Sequence, residues 1–190
     1  MAVHDALAAS QLAAPGPVAA AYREVVDALV AVLGCLNQQV AALEQQLAAR
    51  FADHRDAAII RSQPGLGVVL GARVLGKFGD DPDRYQTAKG RKAFAGTAPV
   101  TRTSGLRTVV VARAACNQRL VDACYLWAFA ALTASAGARR CYDAHRARDA
   151  THHQALRALG NRLVGILHGC LTRRVAYEEE VAWPAAEPAA

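Results

Sequence analysis

The sequence has few aromatic residues, no stretch typical of a secretion signal and no long apolar run. Phe, Trp and Tyr make up 6% of its 190 residues, and much of its 53% apolar share is alanine. Alanine favours helices, so we predict a mainly α fold. The N-terminal MAVHDALAAS lacks a basic segment followed by an apolar one, and runs such as 123–138 are too short and mixed to span a bilayer. We therefore expect a cytoplasmic protein with no membrane partner.

Cysteine is scarce, and its spacing matches no common site. The five cysteines include no Cys-x-x-Cys pair, which is typical of reduced thiols in a cytosolic protein. His168 and Cys170, together with His152 and His153, lack the spacing of a zinc site. We predict no metal site and no cofactor in this chain. We interpret the aspartates within 80–83 as turn residues that cap the next helix.

Acidic residues are absent from Arg84 to Leu120, where basic residues are frequent. The whole chain carries a net charge of +6 and has a pI of about 9.4. A basic stretch without acids is not a salt-bridged solvent face, and it is typical of a surface that faces phosphates. We therefore predict a nucleic-acid partner. The basic residues of this stretch are Arg84, Lys89, Arg91, Lys92, Arg102, Arg107, Arg113 and Arg119.

A long, coiled-coil-like helical arm is predicted for residues 18–53, after a flexible leader at 1–17. Apolar residues recur in the arm at alternating steps of four and three, which is the a/d spacing of a coiled coil. Such a helix either packs on its own domain or serves as a dimerising or antiparallel arm, and the pattern leaves both open. The apolar seam consists of Tyr22, Val26, Leu29, Leu33, Leu36, Val40, Leu43 and Leu47.

The turn Pro64–Gly65–Leu66–Gly67 lies between two apolar segments and predicts a helix-hairpin-helix. Free backbone N–H groups at the start of its second helix would bind a phosphate without reading base sequence. A plain helix–helix turn is the alternative. This motif opens a predicted helical domain at 54–177, and a tail at 178–190, rich in Pro, Ala and Glu, is predicted to be disordered.

Strand propensity is confined to one place in this domain. The stretch TVVVAR at 108–113 is β-branched, and it predicts a short strand in a hairpin with 98–102. Apolar residues at helical spacing over 117–135 and 152–171 predict two long helices. The expected domain is therefore helical, with at most a short β hairpin.

Ser104 is placed unusually, beside Gly105 and between Arg102 and Arg107. A serine needs a base or other activation to act as a nucleophile, and no histidine or carboxylate stands nearby in the sequence. From these residues alone, a turn serine is the simplest interpretation. The positive charge around it would suit an anionic substrate such as a phosphodiester.

Four motifs in order resemble the C-terminal part of the DEDD-type insertion-sequence transposases of the IS110 group, also called IS116/IS902 transposases. They are IIRSQPGLGVVLGARVLGKFGD, RYQTAKGRKAFAGTAPVTRTSG, NQRL and CYDAHRARDATHHQALRALGNRLVGIL. The resemblance covers about residues 20–183. It implies a coiled-coil segment and a helical transposase domain, preceded in the family by a RuvC-like domain whose four acids bind Mg²⁺. We expect this chain to lack that RuvC-like domain, and Mg²⁺ is expected only there.

The resemblance also implies a catalytic role for one serine. The family segment AGxxPxTRxSG is matched by AGTAPVTRTSG, so its nucleophilic serine corresponds to Ser104. That serine would attack a DNA phosphodiester and form a phosphoserine link. Cys116, where relatives often carry Gly or Arg, departs from the pattern. We expect DNA contacts from Pro64, Gly65, Gly67, Lys89, Arg91, Lys92, Arg102, Gly105, Arg107, Arg113, Asn117 and Arg119.

The partners implied are DNA, a structured guide RNA and further copies of the chain joined through the arm. The isolated chain is expected to bind DNA without recombining it. Two other interpretations remain open. One is a non-catalytic nucleic-acid-binding module, which as a remnant would act as a dominant inhibitor by pairing through its arm. The other is a purely structural coiled-coil protein, which predicts no salt-dependent DNA affinity.

Overall fold

The described part of the chain consists of helices, short turns and a two-stranded hairpin. The computed structural model describes residues 15–184, so 1–14 of the predicted leader and 185–190 of the predicted tail lie outside it. The mainly α fold is confirmed. The elements are α1 (Gly16–Ala52), α2 (Ala57–Ser62), α3 (Val68–Phe78), a 3-10 turn (Pro82–Arg84), α4 (Ala88–Phe94), β1 (Val100–Ser104), β2 (Arg107–Val111), α5 (Gln118–Ala134), α6 (Ala136–Arg146), α7 (His152–Arg173) and α8 (Glu179–Ala182).

The predicted arm is one continuous helix, α1. Pro17 stands at its start, where a fixed φ and a missing N–H cost nothing. Two compact units divide at Gln45, and α1 forms most of the described part of the first. The seam residues from Tyr22 to Leu43 are all more than half exposed. By length and composition α1 could also cross a membrane, which the sequence interpretation did not expect. This exposed apolar face of α1 is therefore suited to bury itself against another apolar surface.

The core of the second unit is built by α5 and α7, which pack against each other and against α6. α7 also packs against α4, and α5 also packs against α3. Trp127 on α5 and Leu156, Leu159 and Leu163 on α7 are fully buried. Gly160 on α7 lies against Cys124 and Ala128 on α5, where a Cβ would be at ordinary contact distance from the Cys124 carbonyl oxygen. The helical spacing over 117–135 and 152–171 thus marks core faces.

Side-chain caps fix where several helices of this unit begin. Asn117 accepts from the Leu120 N–H at the start of α5, and Ser135 accepts from the Ala138 N–H at the start of α6. Thr151 and Gln154 form a reciprocal capping box on α7. Thr87 caps α4, whereas Asp81, expected to cap that helix, caps the 3-10 turn. Each cap stabilises its helix by about 1 kcal/mol.

The turn between α2 and α3 packs tightly against α5. The indole N–H of Trp127 donates to the Pro64 carbonyl oxygen at 2.9 Å. Gly65 has a φ of +78°, and a Cβ there would lie 2.6 Å from the Ala131 nitrogen. Two helices joined by this turn are present, and packing alone explains Pro64 and Gly65. The helix-hairpin-helix and its phosphate contact stay predictions.

The C-terminal segment departs from the predicted disordered tail. Residues 179–182 form α8, and Glu179 accepts hydrogen bonds from Ser135 Oγ at 2.9 Å and from the Gly137 N–H at 2.6 Å. The Trp183 indole lies so close to Gly137 that a Cβ there would be 2.1 Å from it. Composition suggested disorder in this segment. It could not show that Glu179 and Trp183 have partners at the start of α6, far away in sequence.

Acid is expected to release this C-terminal segment. Burial disfavours the Glu179 carboxylate, but hydrogen bonds from Tyr177, the Gly137 N–H and Ser135 outweigh burial and hold the pKa of Glu179 below its usual value. A depressed folded-state pKa stabilises docking above the unfolded pKa, and that stability is lost as pH falls through the folded pKa. Trp183 fluorescence should therefore shift to the red below about pH 4.

The matched variant for this acid test is Glu179→Gln, which keeps the shape of the side chain and removes its charge. Its fluorescence should already be shifted at neutral pH and should lack the acid step. Trp127 contributes equally to both proteins, so the difference reports Trp183. Identical acid transitions in the two proteins would contradict the role assigned to Glu179.

Candidate nucleic-acid interface

The β-hairpin predicted at 98–113 is confirmed, and its register groups the residues around Ser104. Ser104 pairs with Arg107, and Arg102 pairs with Val109. Side chains alternate between the two faces of a strand, and paired residues share a face. Arg102, Ser104 and Arg107 therefore lie on one face of the hairpin, and all three are exposed. The opposite face carries Thr103 and Thr108, whose hydroxyl oxygens are 3.4 Å apart.

The tip of the hairpin is a two-residue turn of Gly105 and Leu106. Gly105 has a φ of +58°, and Leu106 does not share a positive φ, which is the pattern of a type II′ turn. A Cβ at Gly105 would meet nothing within 4 Å, so backbone conformation explains the glycine better than crowding does. Leu106 is completely exposed. The tip thus projects away from the core with an unobstructed backbone.

No base within the described residues hydrogen-bonds to Ser104. The side chains of His152 and His153 instead pair with the hydroxyls of Tyr142 and Tyr125, at 2.7 and 2.9 Å. The arginines beside Ser104 offer only hydrogen-bond donors and no acceptor for its proton. The hairpin face supplies a hydroxyl and positive charge, without a proton acceptor bonded to the hydroxyl among the described residues.

Arg91 occupies a different environment from the one predicted for a phosphate contact. It is 6% exposed, and its guanidinium lies over the rings of Phe78 and Tyr85, at 5.1 and 4.6 Å from their centroids. Burial lowers its pKa, and the charges of Tyr85 and Asp56 partly oppose that effect. Arg91 therefore packs α4 against α3, and its predicted DNA contact remains a prediction that would need the side chain to move.

The other predicted contact residues are spread over several elements. Gly67 is exposed at the N-terminus of α3, and Lys89 and Arg119 are exposed. Arg113 is half-buried, and its Nε lacks a hydrogen-bond partner among the described residues. Asn117 is occupied by capping α5. The basic residues of the sequence stretch 84–120 thus lie on several elements. In the hairpin, the strand register places two of them, Arg102 and Arg107, on the same face.

Cysteine and metal chemistry do not distinguish this unit. Across residues 15–184 no group of three or more His, Cys, Asp or Glu side chains is placed to hold a metal ion. The cysteines are free thiols. Burial raises the pKa of the Cys124 thiol to about 12, which keeps it protonated and unreactive.

Comparison with known proteins gives consistent matches. Residues 57–143 match the family described as Transposase IS116/IS110/IS902. The chain is 47% identical over 133 residues to the candidate transposase of the IS117 mini-circle from Streptomyces coelicolor, covering 70% of this chain and 32% of that protein. It is 34% identical over 154 residues to the IS900 42 kDa protein of Mycobacterium paratuberculosis, covering 80% and 39%.

A third relative gives the same coverage. The IS110 43.6 kDa protein of Streptomyces coelicolor is 34% identical over 159 residues, which is 83% of this chain and 39% of that protein. The matched part of the chain thus spans between 32% and 39% of the length of these relatives. The activities of the full-length relatives are therefore attributed to this chain only as a proposal.

Proposed function

Because the chain belongs to the IS116/IS110/IS902 transposase family, we propose that it binds DNA and takes part in DNA transposition with Ser104 as the nucleophile. The observation that carries this proposal is the strand register, since it groups Arg102, Ser104 and Arg107 on one exposed face. A hydroxyl between two guanidiniums suits attack on a phosphodiester, whose non-bridging oxygens the arginines would hold.

The proposed step exchanges one phosphoester for another. Ser104 Oγ attacks the phosphorus, an Oγ–P bond forms, and the bond from phosphorus to one sugar oxygen breaks. That oxygen leaves with the electron pair and takes up a proton. Arg102 and Arg107 offset the charge that develops on the phosphate oxygens in the transition state. The phosphoserine link conserves the ester for a later transfer.

The Ser104 proton needs an acceptor beyond the hairpin. By family resemblance, acidic residues of a RuvC-like domain and their Mg²⁺ would supply Lewis-acid and base chemistry. What the described residues contribute is the nucleophile, two fixed charges and a tip with an open backbone. We therefore propose that this chain binds DNA by itself and recombines it only together with such a domain.

A non-catalytic DNA-binding module is the second proposal. It is favoured by the absence of a base hydrogen-bonded to Ser104 among the described residues. In that case Arg102 and Arg107 bind phosphate, and Ser104 is the last residue of β1 with no chemical role. The two proposals agree on binding and differ on whether a protein–DNA covalent bond forms.

Self-association through α1 is also part of the proposed function, together with binding of a structured guide RNA. Leu33 and Leu36 lie at the centre of the exposed seam. If two copies pair antiparallel, Leu33 faces Leu36 of the second copy and every other seam residue also finds a seam partner. The flanking positions then bring Arg23 beside Glu44 at both ends.

A parallel pair would lack these ion pairs. In a parallel pair, a flanking residue of one copy meets the flanking residue five positions earlier in the other copy. Arg23 would then lie beside Val18 of the second copy, and Glu44 beside Gln39. Antiparallel packing also sets the two helix dipoles in opposition. Charge complementarity therefore favours an antiparallel pair of α1 helices.

Removing the charges of the hairpin is expected to weaken DNA binding. The variant Arg102→Gln/Arg107→Gln should bind duplex DNA about tenfold to a hundredfold more weakly and lower the slope of log K against log salt by about 2, because two phosphate contacts are lost. The measurement is a fluorescence-anisotropy titration at several salt concentrations. Because these are phosphate contacts, the loss should be similar for unrelated DNA sequences.

The control is Arg61→Gln/Arg148→Gln, which removes the same charge from exposed positions away from the hairpin. It should change the slope much less. Equal losses in the two variants would mean that DNA responds only to net charge, and that the hairpin is not the contact surface.

A further inference from the structure

A cleft on the second unit combines basic side chains with open volume. It encloses about 500 Å³ between α4, one face of α7 and the C-terminal segment around α8. Its basic residues are Lys92, Arg162 and Arg173, and its acid is Glu178. Only Lys92 belongs to the contacts predicted from sequence. Arg162 and Arg173 lie far from it along the chain, and the fold alone brings them to the same cleft.

The charges of this cleft are only partly used by the protein itself. Arg162 donates to the Ala182 carbonyl oxygen at 3.2 Å and lies over the Trp183 ring, so it fastens the C-terminal segment. Lys92 and Arg173 form no ion pair with any described residue. Glu178 is exposed. The cleft therefore holds two cations whose charge is not neutralised by a contacting carboxylate.

Two glycines of α7 shape the cleft floor. A Cβ at Gly165 would lie 2.6 Å from Lys92 Cε, so the lysine stem rests directly on the helix backbone. One turn later, a Cβ at Gly169 would lie 3.4 Å from the Arg173 guanidinium. A larger residue at position 165 would push the Lys92 ammonium outward, whereas Gly169 leaves ordinary contact distance to Arg173. Gly165 thus lets Lys92 lie along the same helix as Arg173.

The positive potential of this region acts on a neighbouring histidine. Burial lowers the pKa of His168, and the charges of Arg91 and Lys92 lower it further. His168 therefore stays neutral at physiological pH and adds no charge of its own.

We propose that the cleft of Lys92, Arg162 and Arg173 binds a phosphodiester group of a nucleic-acid backbone, as a contact separate from the β-hairpin. A lysine ammonium provides a compact charge, and an arginine provides a planar pair of donors for phosphate oxygens. This assignment of the cleft rests on the proposed function, because it presupposes that nucleic acid is the partner. The cleft would hold one segment of the nucleic-acid backbone while the β-hairpin contacts another segment.

The test is the variant Lys92→Gln/Arg173→Gln, which leaves Arg162 and its hold on the C-terminal segment intact. Nucleic-acid binding by this variant should weaken about tenfold or more, and the slope of log K against log salt should fall by about 2 because two phosphate contacts are lost. Arg61→Gln/Arg148→Gln is the matched control and should change the slope much less. Circular-dichroism melting would show that all proteins are folded.

Two probes distinguish the source of the phosphate. A loss confined to duplex DNA assigns the cleft to the DNA substrate, and a loss confined to a structured RNA hairpin assigns it to a guide RNA. Either result supports the cleft. If the wild-type chain binds neither probe in a salt-dependent way, the proposed function itself fails. If the wild type binds but the cleft variant matches the control, the cleft proposal alone is overturned.

Discussion

Replacing Ser104 with alanine is expected to abolish the covalent protein–DNA link, at least about 10³-fold, while DNA binding changes little. The hydroxyl is the only group on its face of the hairpin that can form an ester with phosphorus, and removing a nucleophile typically costs a reaction most of its rate. The assay supplies the RuvC-like domain, guide RNA and labelled target DNA. Adducts are resolved on a denaturing gel, and the phosphoserine position is mapped by mass spectrometry.

The hairpin offers its own control for this experiment. Thr103→Ala removes a hydroxyl one residue away that the register places on the opposite face. This variant should retain adduct formation, because Thr103 does not share a face with the two arginines. Adducts that persist in Ser104→Ala, or that disappear equally in Thr103→Ala, would reject Ser104 as the nucleophile and favour the non-catalytic module.

Placing charges in the α1 seam is expected to abolish self-association. In Leu33→Glu/Leu36→Glu, four carboxylates would meet at the centre of the proposed pair without partners, so the dimer should dissociate at least about 10³-fold more readily. Sedimentation equilibrium measures this directly. Gln38→Glu/Gln45→Glu adds the same charge on the outer face of the helix and should leave the association nearly unchanged.

The orientation of the pair has its own signature. Arg23→Glu and Glu44→Arg should each weaken the dimer by about fivefold, and combining them should restore it, because each exposed ion pair contributes up to about 1 kcal/mol. A parallel pair would show no such restoration. A wild-type chain that stays monomeric would instead mean that another helix or a bilayer covers the seam.

Local patterns in the sequence predicted a large part of this fold. The seam of α1 follows from a repeat within one helix, and the α2–α3 turn follows from Pro64 and Gly65 between apolar segments. The hairpin was predicted from the β-branched residues at 108–113, paired with 98–102. These features depend on neighbours within a few residues, where backbone propensity and side-chain periodicity act directly.

The burial of Arg91 was not predictable from its sequence neighbours. Lys89, Arg91 and Lys92 look alike in a basic stretch, yet Lys89 is exposed, Lys92 rests on Gly165 and Arg91 lies over Phe78 and Tyr85. Their different environments depend on how α4 packs against α3 and α7. The same limit applies to Glu179, whose partners on α6 give an apparently disordered acidic tail a docked structure.

By itself the sequence determined the family resemblance and the helical fold with its short hairpin, because motifs, periodicity and β-branched runs are local signals. The register that groups Arg102, Ser104 and Arg107 on one face came from the structure. Only the tertiary structure decided which basic residues are buried and that Lys92, Arg162 and Arg173 meet in one cleft. The physical reason is that these outcomes depend on contacts between distant segments. Such contacts are set by packing the whole domain and not by the residues next to them in the chain.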